Sequence, residues 1–174
     1  MDFFKALSER HSIRAYKDRE VEDDKLDRIL EAIRSAPTAG NLQAYEIVLV
    51  KSKAGRDRLA EAAHGQTFIS EAPVDLVFLA NPGKSAGRYG KRGERLYSIQ
   101  DATIAVTIAH LAATALGLGS AWVGAFDDSE VRKAVDAPAD LMPVAILPIG
   151  YPDEEPHSTP RRNLKDIVRA ESFR

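Results

Sequence analysis

The sequence predicts a single domain of the α/β or α+β class, with helices covering a central sheet. Segments whose apolar residues recur every three or four positions alternate with short runs rich in Val, Ile and Leu. The 174 residues are 44% hydrophobic and 29% charged, a composition that suits one well-buried core. Because no repeat, linker or low-complexity tract divides the chain, we expect residues 1–174 to form one domain.

Five segments have the apolar spacing and the boundary residues of helices. They cover residues 2–9, 24–36, 53–63, 102–116 and 128–135. The fourth has no charged residue and is rich in alanine, so we expect a buried helix with Asp101 as its N-cap and Gly117 just beyond its end. This helix lies either in the core of one subunit or, because nearly every face is apolar, across a subunit boundary as well.

Four shorter runs rich in branched apolar residues predict strands at residues 46–50, 74–80, 120–123 and 144–149. Two other segments have no regular pattern. Residues 81–95 contain four glycines and five basic residues, which we interpret as a mobile, solvated loop. The segment that follows Tyr151 is polar and rich in proline before a short helical turn. It therefore either extends freely or wraps onto a partner subunit.

Composition and motifs exclude several classes of function. The formal charge of −2 gives no general attraction for nucleic acid or an anionic membrane, and the longest apolar segment is short for a membrane span. The chain has no cysteine and its four histidines lack metal-ligand spacing, so no metal site is expected. Because neither a metal site nor a cysteine nucleophile is expected, any difficult chemical step would have to be carried out by a bound cofactor. The N-terminal segment lacks the apolar core of a signal peptide, which favours a cytoplasmic protein.

Arginines near both ends of the chain are candidate anion ligands. Alternate residues of an extended segment share a face, so Arg10, Ser12 and Arg14 can converge. Two guanidiniums with a hydroxyl between them suit a phosphate. Arg161 and Arg162 offer two more guanidiniums. Each pair of arginines alone is typical of a solvated surface. Whether the two pairs together form one anion site depends on whether the two ends of the chain meet.

The segment between the second helix and the first strand is rich in side-chain amides and hydroxyls. Thr38, Asn41 and Gln43 carry donors and acceptors that can read the edge of a heteroaromatic ring. Turn formation by Pro37, Gly40 and Asn41 explains part of this pattern without any ligand. The sequence supports both interpretations.

Four blocks of the sequence follow one another along nearly the whole chain. They are RHSIR, SAPTAGNLQAYEIVLV, DATIAVTIAHLAATALGLGSAWVGAFD and PIGYPDEEPHSTPRRNL. Together they resemble the nitroreductase family of FMN-dependent oxidoreductases. The resemblance implies a central, mostly antiparallel sheet flanked by helices, and an intertwined homodimer with FMN at each of two interface clefts. The chain departs from the family at Ala44-Tyr45, where relatives often have Pro-Trp, and it lacks part of the helical segment that often caps the cleft.

The resemblance also implies a role for each candidate residue. The FMN phosphate and ribityl chain would be held by Arg10, His11, Ser12, Arg14, Arg161 and Arg162. Arg14 would in addition lie on the N1/O2 side of the ring as the electrostatic catalytic residue. The partner subunit would bring Thr38, Asn41 and Gln43 to the flavin. Val123 and Gly124 would position the ring near N5 through main-chain groups.

The activity that the resemblance implies is a ping-pong oxidoreduction. NAD(P)H passes hydride to flavin N5 and leaves, and a nitroaromatic or quinone acceptor takes its place. Residues 81–95 would cover the cleft or attract a nicotinamide phosphate. Two other functions on this fold are a non-catalytic FMN-binding or regulatory module and a different flavin chemistry, such as dehalogenation or flavin conversion. A phosphate-binding domain without flavin is a further interpretation.

Overall fold

The runs of branched apolar residues form one antiparallel sheet, which confirms the predicted fold class. The computed structural model describes residues 1–173. Its strands are β1 (Tyr45–Val50), β2 (Val74–Ala80), β3 (Gly119–Ser120) and β4 (Met142–Gly150), in the spatial order β1-β2-β4-β3. Strand β2 pairs with β1 and β4, and all its residues are buried. Burial on both faces explains why the sequence of β2 is an almost continuous apolar run.

All five predicted helices are present, with their ends shifted by a few residues. The helices are α1 (Phe3–Glu9), α2 (Asp23–Arg34), α3 (Lys53–Ala62), α4 (Phe68–Glu71), α5 (Pro82–Arg92), α6 (Ser98–Ala115) and α7 (Asp128–Ala134). Single 3-10 turns lie at Ala39–Asn41 and Leu164–Asp166. Capping side chains start several helices. The Asp2 carboxylate accepts from the backbone N–H of Lys5 at 3.1 Å, and the Asp127 carboxylate accepts from two backbone N–H groups of α7.

The sheet has a helical layer on each face. On one face, α2 and α6 pack against Leu76 and Phe78 of β2. On the other face, α3 and α7 pack with Val77 and Leu79. This alternation follows from the two-residue period of a strand, and each large apolar side chain buried in this way contributes about 1.5–3 kcal/mol. Four of the six alanines of α6 are buried and allow it to approach the sheet closely.

Residues 81–95 are not the irregular loop that their glycines predict. The Asn81 side chain accepts from the backbone N–H of Lys84 at 3.0 Å and starts α5, with Pro82 at its first position. Helix α5 is kinked at Gly90, whose φ of +55° is not helical, and a π-helical turn at Gly93–Tyr97 then joins α5 to α6. The rings of Tyr89 and Tyr97 pack edge to face, with centroids 5.1 Å apart. Glycine disfavours a helix by about 1 kcal/mol per residue, and here the cap and the ring packing oppose that preference.

Two predicted boundaries near α6 are also corrected. Helix α6 begins at Ser98, so Asp101 lies in its first turn and does not cap it. The π-helical turn leads straight into α6, which leaves the Asp101 carboxylate free to accept from other groups. The predicted strand 120–123 is shorter, because after Ser120 only an isolated bridge between Val123 and Ile146 remains. Gly117 has φ +75° and ends the helix as predicted. Within residues 1–173, no helix is long and apolar enough to cross a membrane.

Candidate functional site

The segment that follows α1 is extended and rests on strand β3. The backbone N–H of Ile13 donates to the carbonyl oxygen of Ser120 at 3.0 Å, and Ser12 forms a parallel bridge with Ser120. Ile13 is buried, whereas Ser12 and Arg14 are exposed. A Cβ atom at Gly119 would lie 2.8 Å from the Cβ of Ile13. The glycine therefore allows this segment to approach β3 closely, with its polar residues facing out.

The two ends of the chain meet beside this segment. Tyr16 bridges to Pro152, and the backbone N–H of Asp153 donates to the carbonyl oxygen of Ala15 at 2.9 Å. The pairing creates a cavity of about 330 Å³. It is lined by Arg10, His11, Ser12, Arg14, Glu154, His157, Thr159 and Arg161. We call this cavity the arginine pocket. Arg162 does not line it and instead donates to the carbonyl oxygen of Asp166 at 2.6 Å.

The arginine pocket carries a surplus of positive charge. Three guanidiniums line it together with the single carboxylate of Glu154, which accepts from the backbone N–H of Arg14 at 2.5 Å. The Arg14 guanidinium lies 5.8 Å from the centroid of the Phe68 ring, within the range of a cation–π contact. His11 is oriented by a 2.9 Å hydrogen bond between its Nδ1 and the carbonyl oxygen of Glu9. This set of charged donors and hydroxyls suits a phosphate group.

His110 of α6 contacts Arg10, one of the residues that line the pocket, a role that the sequence analysis did not assign. Its Nε2 lies 2.8 Å from Nη1 of Arg10, and its Nδ1 lies 2.6 Å from Oγ of Ser120. Burial, followed by the charge of Arg10, lowers the pKa of His110 to about 4. A lone histidine within a largely apolar helix was the available sequence signal, but its partner is 100 residues away.

The amide-rich loop at residues 38–44 is held mainly by bonds within the chain. The Thr38 hydroxyl accepts from the backbone N–H of Gln43 at 3.0 Å, and Gln43 Nε2 donates to Asn41 Oδ1 at 3.1 Å. The carboxylate of Asp101 accepts from the backbone N–H groups of Ala39 and Ala44, at 2.9 and 3.3 Å. Turn formation therefore explains much of this polar pattern, as one of the two interpretations expected.

This loop and the segment after β3 do not line the arginine pocket. Asn41 and Gln43 are exposed and have left-handed backbone angles, with φ of +56° and +50°. Val123 is buried and exchanges two backbone hydrogen bonds with Ile146, of 2.9 and 3.0 Å. Gly124 is exposed next to the Trp122 indole, where an added Cβ would lie 3.4 Å from the ring nitrogen. Within residues 1–173, the predicted site residues thus form separate groups.

Comparisons with known proteins agree with this arrangement of elements. The model of the Nitroreductase family matches residues 7–86 and 64–151. The chain is 31% identical to a Bacillus subtilis protein named FMN reductase (NAD(P)H), over 99% of this chain and 74% of that protein. A nitroreductase family protein of Clostridium difficile has a TM-score of 0.88 at 33% identity, covering 99% of this chain and 100% of that one. An FMN-dependent nitroreductase of the same species has a TM-score of 0.81 at 31% identity, covering 98% and 99%.

Proposed function

The chain belongs to the nitroreductase family of oxidoreductases, and from this premise we propose that it is an FMN-dependent enzyme that uses NAD(P)H. The acceptor class we propose is nitroaromatic or quinone compounds, reduced in a ping-pong reaction. One observation carries the proposal: Arg10, Arg14 and Arg161, from opposite ends of the chain, line one pocket with Ser12. Bound FMN supplies the hydride-transfer chemistry, and the protein binds and orients it.

The arginine pocket is the proposed site of the FMN phosphate. Arg10 and Arg161 provide charged donors for the phosphate oxygens, and the hydroxyls of Ser12 and Thr159 add two adaptable donors. The oriented ring of His11 lies at the same pocket. Arg162 lies outside it in the described residues, so its proposed contact with the phosphate would need a different position of the segment that follows Tyr151.

Arg14 is the proposed electrostatic catalytic residue. Its guanidinium is exposed and forms no ion pair within residues 1–173, so its charge is available to a ligand. A fixed cation on the N1/O2 side of the flavin favours the negative charge that accompanies reduction. The main chain at Val123 and Gly124 is the proposed support for the ring near N5. The main chain at Val123 and Gly124 and the guanidinium of Arg14 would thus contact the reacting ring of the flavin.

A homodimer is the proposed assembly, with a second copy completing each site. Thr38, Asn41 and Gln43 do not line the arginine pocket of their own chain, so we propose that they reach the flavin held by the partner. In support, the apolar side chains of α1 are largely uncovered in one chain, with Phe3 64% and Phe4 79% exposed.

The visible spectrum of the purified protein, before and after anaerobic addition of NADH or NADPH, tests the proposed function. We expect flavin bands that bleach with at least one donor and return when a quinone or nitroaromatic compound is added. Flavin bands that persist with both donors would favour the FMN-binding module. Bleaching without reoxidation by these acceptors would favour another flavin chemistry. A colourless protein that takes up no added FMN would refute the proposal.

Substitution of Arg14 tests its electrostatic role. We expect Arg14→Ala to lower the rate of flavin reduction about tenfold or to weaken FMN retention, because the positive charge beside the ring is lost. Arg14→Lys should recover part of the rate. Arg34→Ala, which removes an exposed guanidinium of α2 paired with Glu31 at 2.6 Å, serves as the control. If Arg14→Ala keeps its FMN and reduces it as fast as the unsubstituted protein, Arg14 does not have this role.

A further inference from the structure

We propose that His110 is a positioning residue that holds the Arg10 guanidinium in the orientation that binds a phosphate. This inference rests on the proposed function, because the phosphate in question is that of FMN. The contact joins the middle of α6 to Arg10, the residue just after α1, whose backbone N–H donates to the carbonyl oxygen of Ala6 at 3.0 Å. His110 is buried and does not itself line the arginine pocket.

The hydrogen-bond chemistry determines which way each bond runs. A guanidinium has only donors, so Arg10 Nη1 donates to His110 Nε2 across 2.8 Å. The proton of the neutral imidazole is then on Nδ1, which donates to Ser120 Oγ across 2.6 Å. Both ring nitrogens therefore have a partner. Only one tautomer and one ring orientation of His110 form both hydrogen bonds. The imidazole therefore accepts from Arg10 in one fixed direction.

Burial keeps His110 in this neutral form. The side chain is only 6% exposed, and Ser120 is 1% exposed. Arg10 is the charged group that acts on the pKa of His110, and both its charge and the burial disfavour a second proton on the ring. At neutral pH the imidazole therefore accepts from Arg10, whereas a cationic imidazole would repel it.

Ser120 connects His110 to the rest of the pocket. Its hydroxyl fixes the imidazole, while its carbonyl oxygen accepts from the backbone N–H of Ile13 at 3.0 Å. The same residue of β3 thus holds the backbone of the segment that carries Ser12 and the side chain that orients Arg10. A long arginine side chain with one direction fixed in advance loses less conformational freedom when an anion binds. The expected consequence is tighter binding of phosphate-bearing ligands in particular.

Comparing FMN with riboflavin, which has the same ring but no phosphate, separates positioning from general stability. The 174-residue chain, depleted of flavin, is titrated with each ligand and the flavin fluorescence is followed. We expect His110→Leu to weaken FMN binding about tenfold, the usual effect of losing one good charged hydrogen bond, and riboflavin binding less than about twofold. His110→Gln keeps an acceptor at the position of Nε2 and should recover most of the FMN affinity.

Two further variants make the test independent of one substitution. In an Arg10→Ala background, His110→Leu should have no additional effect on FMN binding, because the residue through which it acts is absent. Ser120→Ala removes the hydrogen-bond partner of His110 Nδ1 and should cause a smaller loss of affinity that is also specific for FMN. If His110→Leu does not fold, this variant tests the inference in its place. Thr107→Val is the control, since the Thr107 hydroxyl donates only within α6, to the carbonyl oxygen of Thr103 at 2.8 Å.

Several outcomes would overturn the inference. Equal losses of FMN and riboflavin affinity would show that His110 only stabilises the fold, and unchanged FMN affinity would show that Arg10 needs no positioning. If the unsubstituted protein binds neither flavin, the proposed function fails, and inorganic phosphate then tests the inference through its effect on thermal stability. Phosphate should stabilise the unsubstituted protein and stabilise His110→Leu much less. Equal stabilisation, or none in either protein, would refute the positioning role.

Discussion

At the scale of single residues, Asp75, the second residue of β2, is a buried carboxylate that finds no hydrogen-bond partner in the described part of the chain. Its side chain is fully buried, and neither carboxylate oxygen has a hydrogen-bond partner within residues 1–173. Burial raises its pKa well above the usual range, and the charge of Arg56 opposes this only in part. The Arg56 guanidinium already donates to the carbonyl oxygens of Ser70 and Ala72. An ionised Asp75 therefore destabilises the folded state.

Replacing this carboxylate should stabilise the protein in a pH-dependent way. The folded state binds the Asp75 proton more tightly than the unfolded state, so this group's contribution is most favourable at low pH and is lost as pH rises. We expect Asp75→Val to raise the free energy of unfolding by about 1–3 kcal/mol at pH 8, with a smaller gain near pH 4. Urea unfolding at both pH values measures it, with exposed Asp140→Ala as the control. An equal gain at both pH values would contradict the explanation.

At the scale of elements, helix α6 supports both parts of the candidate site. Near its start, Asp101 accepts from the backbone N–H groups of Ala39 and Ala44 and so holds the loop between them. Near its middle, His110 contacts Arg10. The same helix packs against the sheet through its alanines. Helix α6 therefore fixes the positions of both the loop and the arginine pocket, for any ligand that contacts both of them.

Asp101→Asn tests the first of these supports. The substitution replaces one accepting oxygen with an amide that donates, so one of the two backbone N–H groups loses its partner. We expect a loss of about 1–3 kcal/mol in the free energy of unfolding and faster hydrogen exchange at Ala39 or Ala44. Urea unfolding and amide exchange measure these effects, and Glu94→Gln, exposed on the preceding turn, is the control. Unchanged protection of both amides would show that Asp101 does not hold the loop.

At the scale of the whole molecule, one chain leaves a set of large apolar side chains uncovered. In α1 these are Phe3, Phe4 and Leu7, and in the C-terminal segment they are Leu164, Ile167 and Val168. Single exposed apolar residues are ordinary, but groups of them mark surfaces that another protein covers. The C-terminal segment also brings Arg161 to the arginine pocket. Assembly and ligand binding are therefore expected to depend on the same segment.

The proposed homodimer predicts a specific effect of Phe4→Ser. Because Phe4 is 79% exposed in one chain, its loss should leave the fold of the chain intact and weaken only an association that covers it. We expect the unsubstituted protein to sediment as a dimer at micromolar concentration and Phe4→Ser to shift towards the monomer. Leu49→Ser, on the edge strand β1, is the control. A monomeric unsubstituted protein, or an unshifted Phe4→Ser, would refute the proposed assembly surface.

Local patterns in the sequence determined most of the regular elements and the family. Strand β2 has the predicted bounds, because a run of seven residues that is apolar except for Asp75 lies between Pro73 and Asn81, which mark its two ends. The first residues of α3 and α7 were likewise predicted from their neighbours. That Arg10 and Arg14 line the same pocket was also predicted, because alternate residues of an extended chain share a face. All these features depend on residues a few positions apart, which the sequence displays directly.

Only the tertiary structure decided which distant groups meet. The glycines of α5 predicted a loop, but packing against the following turn gave a helix. Asp101 has the residue type of an N-cap, yet the upstream turn extends α6 and directs the carboxylate to the loop at residues 38–44. Arg161 reaches the arginine pocket while Arg162 does not, and His110 contacts Arg10 across 100 residues. These outcomes depend on how helices and strands pack, and the energy of packing is shared among contacts that no short stretch of sequence contains.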